Sequence, residues 1–234
     1  MVTEDGSPDP RVTAALDAYA TGRGSERAVL AALDASRLLV PVVAVLTEQD
    51  TAPGGLRRDK SSEMALPTVI GTDGRAALPA FTSAAALARW RAGARPVPVS
   101  AARVWQSGAT DASAVVIDIA GPVPFAVDGA RLAALAQRRP PPRPHEDPDV
   151  AALVHAALAA EPAIAAYRLL PGGDGTDLTL CLVPVPGCDP AGDAVAAAAQ
   201  RASERVLAGA GPRLRRGIQV AVIEAAAGGA GTVI

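Results

Sequence analysis

Three features of the sequence predict an α/β (α+β) fold: helices packed on a mixed sheet, then a second small α-β-β-α-β domain. Helix-like and strand-like segments alternate along most of the chain. Leu38–Leu46 and Ala114–Ile119 are continuous β-rich apolar runs, the pattern of strands buried on both faces. The stretch QRRPPPRPHEDP, Gln137 to Pro148, holds five prolines, which forbid helix and favour extended polyproline geometry between the two alternations.

In chain order, a polar leader gives way near Pro10 to a helix over Arg11–Ala20. Ser25–Ala35 follows as a second helix, with Ser25 as cap and Val29, Leu30 and Leu33 as its apolar stripe. Gly22-Arg-Gly24-Ser-Glu26 follows a helix rather than a strand, so it reads as an interhelical turn and not as an anion cradle. The strand Leu38–Leu46 leads into a charged, glycine-bearing surface loop over Thr47–Ser62.

Met64–Trp90 is the most informative stretch. Leu66, Val69 and Ile70 form a strand, Asp73-Gly74 suits a tight hairpin turn, and the return strand carries Leu78 and Phe81. Pro67 and Pro79 lack amide donors, which predicts edge strands or bulges. Thr82 and Ser83 precede a helix, with Ser83 the better N-cap. Leu87 and Trp90 share a face of that helix, and Gly93 ends it. Pro96–Val99 is extended, and Ser100 caps a brief helix through Gln106 that ends near Gly108. After Ala114–Ile119 come a Gly121-Pro-Val-Pro124 bend, a short strand over Phe125–Val127, and a helix capped by Asp128 that contains Leu132 and Leu135.

Beyond the prolines, Asp149–Ala160 is an amphipathic helix with Val150, Leu153, Val154 and Leu158 on one face. Strands Ile164–Leu170 and Leu178–Val185 flank a Gly172-Gly-Asp-Gly175 turn, a long helix spans Ala191–Ala208, and Ile218–Ile223 closes the domain. This order suggests part of a ferredoxin-like layout. The predicted organisation is a leader and first helix over 1–24, an α/β domain over 25–137, a semi-rigid linker over 138–148, an α+β domain over 149–224 and a frayed tail over 225–234.

Composition bounds the function. Half of the 234 residues are apolar, with few aromatics, so the core is built from Ala, Val and Leu. A formal charge of -2 gives no global attraction to nucleic acid or an anionic membrane. Lys60 is the only lysine, and the arginine and alanine excess is that of a GC-rich bacterial genome. The acidic amino terminus is the reverse of a secretory signal, and no apolar run approaches the roughly 20 residues of a spanning helix. A cytoplasmic protein is expected. Cys181 and Cys188 fit no zinc or redox spacing, and Cys181 reads as a buried inert thiol.

Catalytic signatures are missing. There is no Gly-x-Ser-x-Gly, His-Glu-x-x-His, phosphate loop or dinucleotide fingerprint. His145 lies among the prolines and His155 beside an apolar helix stripe, neither at metal-ligand spacing. The arginine groups Arg138-Arg139 with Arg143, and Arg213 with Arg215-Arg216, do not interleave with aromatics and read as solvated surface. Asp118 is the sharpest oddity, an acid within an apolar run. It reads as bonding backbone amides at the Gly121-Pro122 bend or facing solvent, and as a functional mark only if buried.

The junction Leu78-Pro-Ala-Phe-Thr-Ser83, followed by Leu87 and Trp90, resembles the amino-terminal domain of SseB-like proteins. Val115-Val-Ile-Asp-Ile-Ala-Gly-Pro122 is similar to the same domain's apolar strand and Gly-Pro bend, and the resemblance extends over roughly residues 25 to 137. Ala84 and Ala85 stand where the family often places proline and an acidic residue. The carboxy-terminal half is similar to the family's second domain in element order alone. The resemblance implies no reaction and no cofactor, and it singles out Phe81, Thr82, Ser83, Trp90 and Asp118 as candidate binding positions. The expected function is therefore a non-enzymatic protein-interaction module with an unknown protein partner, a homo-oligomer being left open. The alternative is a small-metabolite (amino-acid) sensing protein.

Overall fold

The computed structural model describes residues 6–44, 64–65, 67–71, 74–173, 175–223 and 232–233. The chain forms two compact units, Met1–Ala14 with Ala32–Asp128 and Ala15–Ala31 with Gly129–Ile234. The division falls inside the first two helices, α1 (Pro10–Ala20) and α2 (Glu26–Asp34). Asp9 and Pro10 start α1: the Asp9 carboxylate accepts from the Arg11 amide at 2.9 Å, and Pro10 needs no donor at the first helical position. Ser25 caps α2 through the Ala28 amide at 3.3 Å, as its position predicts. Helices and three sheets of mixed strand orientation make the fold class α/β, as expected.

In the first unit, β1 (Arg37–Ala44) lies between β2 (Met64–Ala65) and β5 (Arg95–Ser100), antiparallel to both. Leu38 to Pro41 are all buried, which explains the unbroken apolar run. Three prolines sit in the β1–β5 pair without breaking its ladder. Leu39 exchanges both backbone bonds with Phe81, so odd-numbered residues of β1 turn their amides away from β5. Pro41 has that parity and lies opposite Pro96, and Pro98 lies opposite Leu39. All three occupy pairs that exchange no hydrogen bonds.

The second sheet of this unit has the order β3 (Val69–Ile70), β4 (Ala76–Ala80), β6 (Ala114–Ile117), β7 (Phe125–Asp128), with β4 and β6 parallel. Pro79 therefore lies in an inner strand, where an edge or a bulge was expected. Ala76 and Ala80 accept from Ser113 and Asp118, so the even-numbered residues of β4 face β6. Pro79 faces the other side, between the β3 pairing at Ala77 and the bridge at Phe81, where no amide is required. Pro67 lies outside the strands, while Leu66, Asp73 and the expected loop over Thr47–Ser62 fall outside the described residues. Gly74 closes the turn at φ +77°, its amide donating to the Gly71 carbonyl at 3.0 Å.

Helix α3 (Ala84–Trp90) stops before Gly93, with Arg91 already extended as its C-cap. Helix α4 (Ala101–Asp111) runs through the Gly108 stop expected from the sequence. Gly108 is buried mid-helix, so it permits close packing instead of ending the helix. Ser100 is the last residue of β5 and makes no capping bond. Trp105 is fully buried, its indole nitrogen donating to Asp34 at 3.0 Å.

The second unit contains α5 (Gly129–Ala136), α6 (Pro148–Leu158), β8 (Ile164–Pro171), β9 (Leu178–Pro184), α7 (Asp193–Ala210), a 3-10 turn over Gly211–Leu214, β10 (Ile218–Val222) and β11 (Thr232–Val233). Its sheet order is β10-β9-β8-β11, with β9 and β10 parallel. The α7 crossover joins neighbouring strands and leaves no slot between them, so the layout is not the split arrangement of a ferredoxin-like fold. Thr232 and Val233 pair with Tyr167 and Ala166, so this part of the expected frayed tail adds a strand instead. Val150, Val154 and Leu158 from α6 and Val195, Ala198, Ala202 and Val206 from α7 close over Leu178, Leu180 and Leu182. The alanines of α7 keep its buried stripe thin. Cys181 is buried, as expected.

Carboxylates hold the starts of α5 and α6. Asp147 caps α6 through the Asp149 amide at 2.9 Å, with Pro148 at the first turn. The Asp149 carboxylate accepts from the Ala130 amide at 2.9 Å, the start of α5 where Asp128 was expected to cap, and Asp128 pairs with Arg75 at 3.3 Å. Gly129 has φ +54°, and a Cβ there would collide with the Asp149 carboxylate. Residues 138–148, read as a linker, lie within the second unit.

Glu161 closes the space beyond α6. Its side chain is 1% exposed and pairs with Arg201 at 2.7 Å and with Arg205, both on α7. The Arg201 hydrogen bond holds its carboxyl below the ordinary value against the opposing effect of burial, and Arg205 adds to the lowering. Its contribution to stability is complete above the unfolded glutamate value of about 4.3 and is lost as pH falls through the depressed folded value. Urea unfolding at pH 6 and pH 3 is expected to show a smaller acid loss for Glu161→Gln than for the parent. Equal losses would mean that this pair does not carry the acid sensitivity.

Candidate functional site

The positions singled out by sequence converge where β4 runs into α3. The Thr82 amide donates to Asp118 Oδ1 at 2.9 Å, and the Thr82 hydroxyl donates to Asp118 Oδ2 at 2.6 Å. Thr82 and Asp118 are 8% and 7% exposed, so water cannot replace either bond cheaply. Asp118 thus joins two parallel strand ends; its carboxylate neither faces solvent nor bonds the amides of the Gly121-Pro122 bend. It stands at φ +49°, and its carbonyl accepts from the Gly121 amide at 2.6 Å. A Cβ on Gly121 would lie 2.9 Å from that carbonyl oxygen, so the bend needs glycine there.

With Thr82 held by Asp118, Ser83 is free to cap α3 and accepts from the Ala86 amide at 3.1 Å. The helix then sets Leu87 and Trp90 against Phe81, which is fully buried, with the Phe81 and Trp90 rings 5.5 Å apart and tilted 35°. Trp90 is half-buried, and the Arg91 guanidinium lies 5.2 Å from its ring centroid. All five positions are therefore brought together. The buried hydroxyls and carboxylate bond to one another and to backbone, and the aromatic–arginine pair faces outward.

Burial raises the Asp118 carboxyl above its ordinary value, opposed by its two bonds to Thr82 and by Arg89. A raised folded value favours folding at low pH, and that contribution is lost as pH rises through it. At neutral pH the buried charge is a cost that an amide avoids.

A second site is a cleft of about 210 Å³ within the second unit. Its walls come from four segments: the start of α2, the proline stretch with His145, the β8–β9 turn with Asp177, and the turn after α7. Asp177 fastens two of them, its carboxylate accepting from the Arg216 amide at 2.7 Å and its own amide donating to the Gly217 carbonyl at 3.0 Å. Burial raises the Asp177 carboxyl, opposed by the Arg216 amide and charge. Glu26 pairs with Arg131, which lies outside the lining, yet burial still holds the Glu26 carboxyl above its ordinary value. Arg213 reaches Asp149 at 3.4 Å. Among the described residues, the guanidinium groups of Arg27, Arg143 and Arg216 have no carboxylate within 4.0 Å.

This cleft bears on three sequence readings. His145, expected to be solvated, is only 15% exposed and lines it. Gly22, Arg23 and Gly24 form the expected interhelical turn, but Ser25 and Glu26, which cap and open α2, are also cleft wall. Arg143, Arg213 and Arg216 line it, whereas Arg139 bonds Gln137 and Arg215 lies over the Tyr19 ring and donates to the Ala20 carbonyl. His155 is exposed, 6.4 Å from the Tyr167 ring. Among the described residues no three of His, Cys, Asp and Glu gather as a metal requires, and no helix is long and apolar enough to cross a membrane.

At the junction, Asp118→Asn keeps both bonds, since its oxygen accepts from the Thr82 amide and its nitrogen donates to the Thr82 hydroxyl. Asparagine also tolerates positive φ. Chemical denaturation at pH 7 is expected to place this variant within about 1 kcal/mol of the parent, and Asp118→Ala roughly 2–4 kcal/mol lower. Equal losses for the two would show that the hydrogen bonds are not what the residue contributes.

The family model described as SseB protein N-terminal domain matches residues 12–134, just over half of the 234-residue chain. No curated protein and no solved structure matches the chain. The matched residues include β4, α3, β6 and the Asp118–Thr82 contact between them. On that match, the chain belongs to the SseB family.

Proposed function

We propose that this SseB-family protein is non-enzymatic, acts in the cytoplasm and works by binding a protein partner at the outer end of α3. The observation that carries the reading is the Trp90–Arg91 pair, a half-buried indole backed by Phe81 with a guanidinium over it. Tryptophan and arginine are the residue types on which interface energy concentrates, and a ring fixed from behind loses little freedom when covered. The buried polar groups of the same junction bond within the protein, which supports recognition over chemistry.

Arg91 is exposed, so Arg91→Glu tests the surface without disturbing the core. In affinity capture from the native organism, the parent is expected to hold a stoichiometric partner, and Arg91→Glu to lose it with an unchanged melting temperature. Retention of the partner by the variant would exclude this surface.

The cleft favours a second reading, a small-metabolite (amino-acid) binding protein. It combines carboxylates, from Glu26 and Asp177, with arginines on a concave surface. A ligand at about 100 times its Kd is expected to add roughly 2.7 kcal/mol of stability, read as a rise in melting temperature. A panel of amino acids and metabolites that leaves the melting temperature unmoved would remove this reading.

A further inference from the structure

The cleft of the second unit has a charge pattern that narrows what it can hold. Four of its lining residues are arginines, Arg27, Arg143, Arg213 and Arg216, against two carboxylates, Glu26 and Asp177. Both carboxylates are engaged, Glu26 by Arg131 and Asp177 by the Arg216 amide. Three of the arginines, Arg27, Arg143 and Arg216, come from separate segments, and their guanidinium groups have no carboxylate within 4.0 Å among the described residues. A planar guanidinium presents a donor fork that matches phosphate and carboxylate oxygens in pairs. Like charges that line one concave surface repel one another, and an anion relieves that repulsion.

The remaining wall supplies the other half of the specificity. Pro141, Pro142, Pro144 and Pro171 line the cleft. Proline has no amide donor, so these positions offer rigid apolar faces and leave the polar recognition to the arginines and to Ser25, His145 and Thr176. A rigid wall also lowers the ordering cost of binding.

Resting on the second reading above, that this cleft holds a metabolite, we propose that its ligand is a small molecule bearing at least two negative charges on a compact carbon or phosphate body. Phosphate esters and di- or tricarboxylates share this chemistry. Arg143 and Arg216 grip the oxyanions, and the prolines bound the body. Neutral zwitterions such as most amino acids lack the second charge and bind less well.

The test titrates the full chain with inorganic pyrophosphate, citrate, sodium sulfate and glycine by calorimetry, at matched ionic strength. Pyrophosphate separates the phosphate source from the carboxylate source represented by citrate. At least one of these two is expected to bind saturably and at least tenfold more tightly than sulfate or glycine. Arg143→Ala and Arg216→Ala are each expected to weaken that binding about tenfold or more, the scale of one charge-assisted bond. Arg139→Ala, outside the cleft, is expected to leave it unchanged. Binding of glycine without either polyanion would overturn the ligand class and leave the metabolite reading standing. Silence from all four probes would overturn the proposed class. If the broader panel is silent as well, the metabolite reading falls with it. Equal affinity in parent and cleft variants would move the site elsewhere.

Discussion

Two hydrogen bonds from Thr82 to the Asp118 carboxylate determine how the first unit is put together. They join the ends of parallel strands β4 and β6, which lie side by side in the sheet but 36 residues apart in sequence. Once Thr82 is fixed, the next residue is placed to cap α3, and the register of that helix decides which side chains meet Phe81. Trp90 and Arg91 owe their position to this sequence of constraints. Since both groups are nearly inaccessible, losing either partner would leave a buried donor or acceptor unmet, which costs more than the bond itself contributes. The positive φ of Asp118 and the side-chain-free Gly121 let the chain turn away directly after the bond is made.

The second unit is held by a different device. Its core is aliphatic, closed by the thin alanine stripe of α7, and its charged groups serve the edges. Glu161 gathers two arginines from α7, Asp149 meets the start of α5, and Asp177 fastens the turn after α7. The last of these also shapes the cleft. Carboxylates here position backbone, and the arginines left over face the cavity. Its charge excess is thus a local property that the overall charge of -2 conceals.

The fold was legible wherever the information was local. Apolar stripes located α2 and α6, and the apolar run that starts at Leu38 marked a strand that is buried over Leu38–Pro41. Ser25 and Ser83 were readable as caps because capping spans only three residues. Gly108 misled because a glycine that ends a helix and one that lets a helix pack closely look alike in sequence. Pro79 misled because its tolerance depends on which neighbour each face of β4 meets, a property of sheet order. Asp118 was legible as an anomaly, but its partner was not, since Thr82 precedes it by a whole crossover. The cleft was illegible for the same reason on a larger scale: its walls come from four separate segments, and nothing in the spacing of Arg27, Arg143 and Arg216 joins them.

Amide hydrogen exchange at Thr82 tests the central claim most directly. Its amide donates to a side chain, outside any ladder, so its protection reports the Asp118 bond specifically. Thr82 is expected to exchange as slowly as the Asp118 amide, which bonds Ala80 between the strands. Exchange of Thr82 at the rate of an open loop, with the neighbouring β4 and β6 amides still protected, would contradict it.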